Sequence, residues 1–223
     1  LAALERVQTS ALFEMSLDGT DLLANLKHNS DGGSDAWDPT KYLNIWVCNM
    51  FGRSLGYATA PGGPADKDGV VINFDVFGTV GTLRAPFDKG RTATHEVGHW
   101  LGLQHLWGDV SCGSDGVDDT PRQLSYNYNC PSFPHTTSCS ENGNGDMFMN
   151  FMDYTDHACM YMFTPDQNTR IQTAMANSPF RNQLTASSAT LCDIPTTAPV
   201  ANFSVQATTC IDSATTLKNQ ING

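Results

Sequence analysis

With 223 residues, 40% of them hydrophobic, the chain can hold one core of good size plus an appendage. Twenty-three acidic against 12 basic side chains give a formal charge of −11, which argues against nucleic acid or an anionic membrane surface as partner and favours cationic ligands, metals and basic peptides. No stretch approaches the roughly 20 apolar residues of a membrane span. No charged leader followed by an apolar run opens the chain at Leu1, so a signal peptide, if there was one, is expected to have been removed.

The opening carries only weak helical periodicity and then a turn cluster, Asn29-Ser30-Asp31-Gly32-Gly33-Ser34. Tyr42 to Cys48 predicts a buried strand, and Val70 to Phe77 another, whose alternation of apolar and polar residues places it near a sheet edge. A long Gly- and Pro-rich turn lies between them. After Gly90 a helix is expected, starting near Arg91 or Thr92 and carrying His95-Glu96-Val97-Gly98-His99-Trp100-Leu101-Gly102-Leu103-Gln104-His105.

That run has the spacing of a catalytic zinc site. Residues four apart share a helix face, so His95 and His99 can offer ring nitrogens to one ion, with Glu96 a step round beside it. A third ligand must come from chain that has left the helix axis. Gly102 can make that bend, because glycine reaches positive φ without a Cβ clash, and His105 then folds back to the metal. Three neutral imidazoles leave the fourth position for water, whose pKa zinc lowers to about 7, with Glu96 placed as general base. Isolated histidines on helices are usually ordinary surface or core residues; three of the chain's six, in register with a glutamate and a glycine, are not read that way.

Residues 106–148 predict loop almost throughout. Of seven cysteines, four fall between Cys112 and Cys159 in this Gly-, Asn-, Ser- and Pro-rich stretch. Such chain needs staples. Structural zinc is the alternative, but no Cys-x-x-Cys pair occurs, so disulfides formed in an oxidising compartment are favoured, and with them secretion. Asp115, Asp118, Asp119 and Thr120 make an oxygen-rich cluster in the same loop. Calcium takes six to eight such oxygens, although acidic loops are commonly just solvated. Thr164-Pro165-Asp166-Gln167 then gives a strong helix start, with Thr164 as N-cap and Gln167 closing a capping box. Ile171, Ala174 and Met175 form its expected inner face, and Asn177-Ser178-Pro179 stops it. Residues 1–192 are therefore taken as the catalytic domain, and 193–223 as a linker running into the first strand of a β-sandwich module of the polycystic-kidney-disease type.

The extended histidine motif is the metzincin signature, and Asn150-Phe151-Met152-Asp153-Tyr154 is similar to that clan's Met-turn. With Gly32 to Asp38, Tyr42 to Cys48, Asp119-Thr120-Pro121 and Cys159 to Thr164, the chain resembles the pappalysin family from about residue 31 to 176, in the manner of its cytophagalysin- and ulilysin-like members. The resemblance implies a secreted zinc metalloendopeptidase of α+β class. It implies a twisted, mixed and mainly parallel sheet, an active-site helix above a horizontal cleft, and a loop-rich, disulfide-stapled lower subdomain after Gly102. It also implies calcium, here assigned to Asp115, Asp119 and Thr120, and the pairs Cys112–Cys139 and Cys130–Cys159. Only 94 residues precede His95, which is short for the family, so the domain is expected to lack its N-terminal part.

In similar proteins a tyrosine two residues after the turn methionine reaches the zinc sphere, which makes Tyr154 the expected donor to the oxyanion, with a merely packed tyrosine as the alternative. Met152 is given shape rather than reactivity. The clan's pocket for the residue after the scissile bond is walled by the Met-turn and the chain that follows, here Asp153 to Met162. A carboxylate at its base, with Asp156 as candidate, would select Arg or Lys, and His157 would blunt the field when protonated. The expected partner is a peptide or protein substrate, with the enzyme a monomer. A non-catalytic adhesion module keeping metal for structure is the competing reading, and Glu96 speaks against it, since a structural site needs no base. The motif does not exclude zinc amidase or esterase action on other substrates.

Overall fold

The computed structural model describes residues 4–9, 13–14, 25–51, 54–140 and 143–187. The expected linker and sandwich strand of 193–223, with Cys192 and Cys210, lie outside the described residues.

The sheet is built around the four residues Val-Val-Ile-Asn. Strands are β1 (Phe13–Glu14), β2 (Ile45–Cys48), β3 (Met50–Phe51), β4 (Gly56–Ala58) and β5 (Val70–Asn73). β5 lies between β2, which it pairs in parallel from Ile45↔Val70 to Cys48↔Asn73, and β4, which it pairs antiparallel from Gly56↔Ile72 to Ala58↔Val70. β1 pairs in parallel with β3, which follows β2 after one residue. Among the described residues the three-stranded sheet β2-β5-β4 is mixed, with one parallel and one antiparallel pair, and β1 and β3 form a separate parallel pair.

The second strand was expected near an edge and is central. Its apparent alternation came from Asn73 and Asp75, and neither marks a solvent face. Asn73 is buried and donates from Nδ2 to Met50 O at 3.2 Å, and Asp75 has left the strand for a 3-10 turn, Phe74–Val76, where it pairs with Arg84. What remains is a strand buried on both faces. Val71 packs with Leu26, Trp46 and Met50 on one side, and Val70 and Ile72 pack with Val76 and Trp100 on the other. Each such fully buried aliphatic side chain contributes about 1.5–3 kcal/mol.

Helix α1 (Arg91–Trp100) lies across β4 and β5, with Val97 and Trp100 on the second core cluster. Its last turn is held by a buried cluster. Arg181 donates to Trp100 O, Thr59 O, Ala60 O and the Asp68 carboxylate, and Trp100 Nε1 donates to the same carboxylate at 3.2 Å. Arg181 and Asp68 are buried, so this ion pair from a 3-10 segment, Arg181–Ala186, clamps the helix end to the turn after β4.

After α1 the chain is mostly loop until α2 (Pro165–Asn177). Among the described residues of 106–148 the ladder contacts are isolated bridges such as His135↔Gly145. Disulfides join Cys112 to Cys139 and Cys130 to Cys159. α2 starts as its sequence dictates: Thr164 accepts from Gln167 N, Gln167 accepts from Thr164 N, and Pro165 opens the helix. Ile171 meets the third cluster of Leu103, Leu106 and Met152, and Met175 meets the second.

Candidate metal centre and active site

α1 ends one residue before the bend. Leu101 caps it, Gly102 takes φ 88°, and Leu103 N donates back to Gly98 O at 3.0 Å, a left-handed exit that turns the chain towards His105. The bend is braced from α2. Arg170 Nε donates to Gly102 O at 2.7 Å and Nη1 to Asp115 O at 3.0 Å, and a Cβ on Gly102 would meet Ala174 Cβ at 3.2 Å.

Three imidazoles converge there. The Nε2 atoms of His95, His99 and His105 lie 3.0–3.3 Å from one another. Each ring has its other nitrogen against an oxygen: His95 Nδ1–H donates to Phe151 O at 2.6 Å, His99 Nδ1–H to Leu103 O at 2.9 Å, and His105 Nδ1–H to Asp109 Oδ1 at 2.5 Å. With the protons on Nδ1, three Nε2 lone pairs face one point. Nitrogens at about 2.0–2.1 Å from a tetrahedral zinc stand roughly 3.3 Å apart. The site thus fits a cation both in tautomer and in spacing, and among the described residues it is the one such group of three or more His, Cys, Asp or Glu side chains. Burial, with the neighbouring imidazoles, lowers the pKa of His95 well below the ordinary value and that of His99 to about 4, so both remain neutral ligands at pH 7.

Glu96 is 6% exposed, and burial pushes its pKa up to about 8, poising the carboxyl to exchange a proton near neutrality. A bare edge of β4 leaves it room. A Cβ on Gly56 would come within 2.8 Å of Glu96 Cγ and Oε1. Tyr154 Oη stands 3.0 Å from His105 Nε2, and burial foremost, then the Glu96 carboxylate, raise its pKa to about 12, keeping the phenol a donor. Met152 is fully buried beneath α1, where a Cβ on Gly98 would fall 2.5 Å from its Sδ. The turn around it is fixed by Asp153, which accepts from Asn127 N, Asn127 Nδ2, Gln123 Nε2 and Tyr154 N.

An aromatic array continues outward from the centre. His105 stacks on Trp107 at 4.4 Å, Trp107 meets Tyr126 and Tyr154, and Tyr126 meets Tyr128 at 4.8 Å. Tyr126 and Tyr128 are exposed. The Tyr128 segment runs beside the chain after the turn, with Asp156 N donating to Asn129 O at 3.0 Å, and Asp156 itself is half-buried.

The oxygen-rich loop is divided. Thr120 Oγ1 donates to both oxygens of the buried Asp115, but Asp119 accepts from Thr164 Oγ1 at 2.6 Å and Asp166 N at 3.0 Å, at the start of α2. Asp118 is exposed. The sequence placed His157 at the substrate pocket, where it would blunt the field of Asp156; it is instead buried, with both ring nitrogens against the start of α1. Sequence reading missed Asp109, Gly56, Gly98, Arg170 and Arg181. Of these only Asp109 carries a local signal, an acid four residues beyond a ligand histidine.

A family model described as pregnancy-associated plasma protein-A, a peptidase family, matches residues 27–176. An extracellular metalloprotease of Verticillium alfalfae is 39% identical over 140 residues, 59% of this chain and 48% of that protein. One from Neurospora crassa is 32% identical over 184 residues, 77% of this chain and 63% of the relative. The chain thus spans about half to two thirds of the length of these relatives. Among solved structures, mature mirolysin of Tannerella forsythia in complex with a cleaved peptide superposes with TM-score 0.71 at 45% identity, covering 79% of this chain and 66% of that one. Mirolysin in complex with another compound superposes with TM-score 0.72 at 46% identity, covering 80% and 67%.

Proposed function

Because the chain belongs to the pregnancy-associated plasma protein-A peptidase family, we propose that it is the catalytic domain of a secreted zinc endopeptidase. The observation that carries the reading is the convergence of three Nε2 atoms, each backed by an Nδ1 hydrogen bond, beside a buried carboxylate and a phenol. His95, His99 and His105 would hold the zinc, which when bound would supply Lewis-acid polarisation of water and of the scissile carbonyl. Glu96 takes the attacking water's proton and returns it to the leaving amine. Tyr154 Oη–H donates to the oxygen on which negative charge develops. Asp109 holds the His105 tautomer that keeps Nε2 free to bind. Secretion is supported by the disulfides in the loops and by relatives named extracellular.

The test is to incubate the zinc-loaded chain with a mixed peptide library, with and without a zinc chelator, and to sequence the products. Chelator-sensitive cleavage within peptides is expected; an inert protein, or cleavage that ignores the chelator, would overturn the reading.

A preference for Arg, with Lys weaker, after the scissile bond is the finer part. Its support is the half-buried Asp156 on the chain after Tyr154, the aromatic faces of Tyr126 and Tyr128 alongside, and the charge of −11. Asp156→Ala should lose that preference; new N-termini that are mostly apolar, or a preference unchanged in the variant, would refute it. A structural calcium keeps the buried Asp115–Thr120 pair as its support, whereas Asp119 is engaged at α2.

A further inference from the structure

α1 starts without a cap from its own neighbours: Gly90, in the N-cap position at φ 70°, has no side chain to offer. The first amide N–H groups of a helix need acceptors from elsewhere. Here an imidazole faces two amides, that of Lys89 just before the N-cap and that of Thr92 in the first turn. His157, 2% exposed, sets Nδ1 3.0 Å from Lys89 N, and Nε2 3.0 Å from both Thr92 N and Thr92 Oγ1. Its main-chain N–H donates to Pro86 O at 3.3 Å, and Phe87 meets its ring edge-on at 5.5 Å.

The same short run of chain touches α1 and its metal ligands at other points. Met152 lies under Gly98, and Tyr154 Oη reaches His105 Nε2. We infer that His157 is a positioning residue: as a neutral imidazole it pins the start of the helix carrying His95, Glu96 and His99 to the segment carrying Tyr154, and so sets base and oxyanion donor against each other.

The protonation requirement follows from what faces the ring. Both nitrogens look at backbone N–H groups. A neutral ring keeps one acceptor nitrogen: with its proton on Nε2, Nδ1 accepts from Lys89 N and Nε2–H donates to Thr92 Oγ1, and with its proton on Nδ1, Nε2 accepts from Thr92 N. A second proton would leave neither amide an acceptor. Burial pushes the ring's pKa down to about 4, with Asp88 opposing and Arg91 and Lys89 reinforcing. His95 on α1 and Asp156 on its own segment are the other titratable neighbours. Because the folded value lies below the ordinary 6.5, the ring stays neutral in the folded protein down to about pH 4, while the anchor's contribution to stability is full above pH 6.5 and is lost as pH falls from there towards 4. A carboxylate has two acceptor oxygens and no N–H to oppose, so it should replace the ring.

The kinetic part of the test rests on the peptidase reading. Zinc-loaded wild type, His157→Ala, His157→Asp and the longer His157→Glu are compared for kcat, KM, zinc content and melting temperature from pH 8 to 5. His157→Ala should lower kcat about 10- to 100-fold with KM little changed and zinc retained, as expected when catalytic groups are misplaced. At least one carboxylate variant should recover kcat, and its melting temperature should fall less than that of wild type between pH 6.5 and 5. Nitrogen NMR of the wild-type ring should show a neutral imidazole at pH 5.5. Wild-type kcat in His157→Ala, folded zinc-loaded carboxylate variants that recover nothing, or a ring titrating near pH 6.5 would each overturn the inference. If wild type cleaves no peptide, the peptidase reading fails by itself, and the NMR and the melting comparison still decide whether the imidazole is the anchor.

Discussion

Glu96 and Tyr154 occupy opposite sides of the same problem, the one needing to gain and lose a proton, the other needing to keep it. Burial acts on both in the same direction, raising Glu96 to about 8 and Tyr154 to about 12, and the outcome differs only because their ordinary values differ. Glu96→Ala should leave zinc bound, since the three ligands survive, while hydrolysis falls by roughly 10²–10⁴-fold from loss of proton transfer alone. Metal analysis alongside a peptide assay checks this, and activity near wild type would remove Glu96 from the mechanism. Tyr154→Phe should lower kcat more than it raises KM, because its hydrogen bond strengthens as charge develops, and an effect confined to KM would contradict the role. Gly56 belongs at this scale too. A Cβ there would meet both the Glu96 side chain and Val71 O at 2.8 Å, so Gly56→Ala should depress kcat and lower the melting temperature, as an activity assay beside thermal unfolding would reveal.

At the scale of elements, α1 is short, ten residues, and its geometry is imposed from outside at both ends. Its own turns do not hold it: a helix of this length is marginal alone in water. The far end depends on Arg181, which is 1% exposed and shared among Asp68, Trp100, Thr59 and Ala60. Arg181→Ala would leave the Asp68 carboxylate buried without its partner, a loss of about 3–5 kcal/mol, read as a lowered denaturant midpoint. A midpoint within error of wild type would mean that water reaches Asp68. α1 and α2 also show how unequally elements reveal themselves. The capping box of α2 is local, four residues long, and was legible in full. The cap of α1 comes from His157, 65 residues beyond Thr92, and no local pattern announces it.

For the whole molecule, the lower half has few ladders to lend it stiffness, so its cross-links carry more of the order. The disulfides span sequence separations of 27 and 29 residues, for which the chain-entropy model gives about 3.6 kcal/mol each. Reduction should therefore loosen the region from Cys112 to Cys159 before the sheet, seen as faster amide exchange there, and uniform exchange across both halves would contradict a separate staple. Metal acts on the other half of the fold as well. Binding to the folded state alone contributes about 4 kcal/mol at a thousandfold excess over Kd, so chelation should lower the melting temperature measurably. An unchanged melting temperature on removal of a tightly bound ion would contradict ligands supplied only by the folded site.

The sequence by itself determined the site's chemistry, because ligand type, helical repeat and the glycine bend are all local. His95, Glu96, His99, Gly102 and His105 lie within eleven residues, and 3.6 residues per turn does the rest. Two of the strands, β2 and β5, were visible in the same way, but their order was not, and β4 (Gly56–Ala58) lies where the sequence read only a long turn, because three residues carry no periodicity. Asn73 and Asp75 look alike in the text, and only packing distinguishes a buried amide bonded to Met50 from an acid in a turn. Tertiary structure alone decided what stands behind each functional group: Phe151, Leu103 and Asp109 behind the imidazoles, Gly56 beside the base, Arg170 on the bend and His157 at the start of the helix. The reason is one of range. A ligand motif obeys the geometry of one turn of chain, whereas the acceptor that fixes a tautomer or caps a helix can come from any segment that the core brings within about 3 Å.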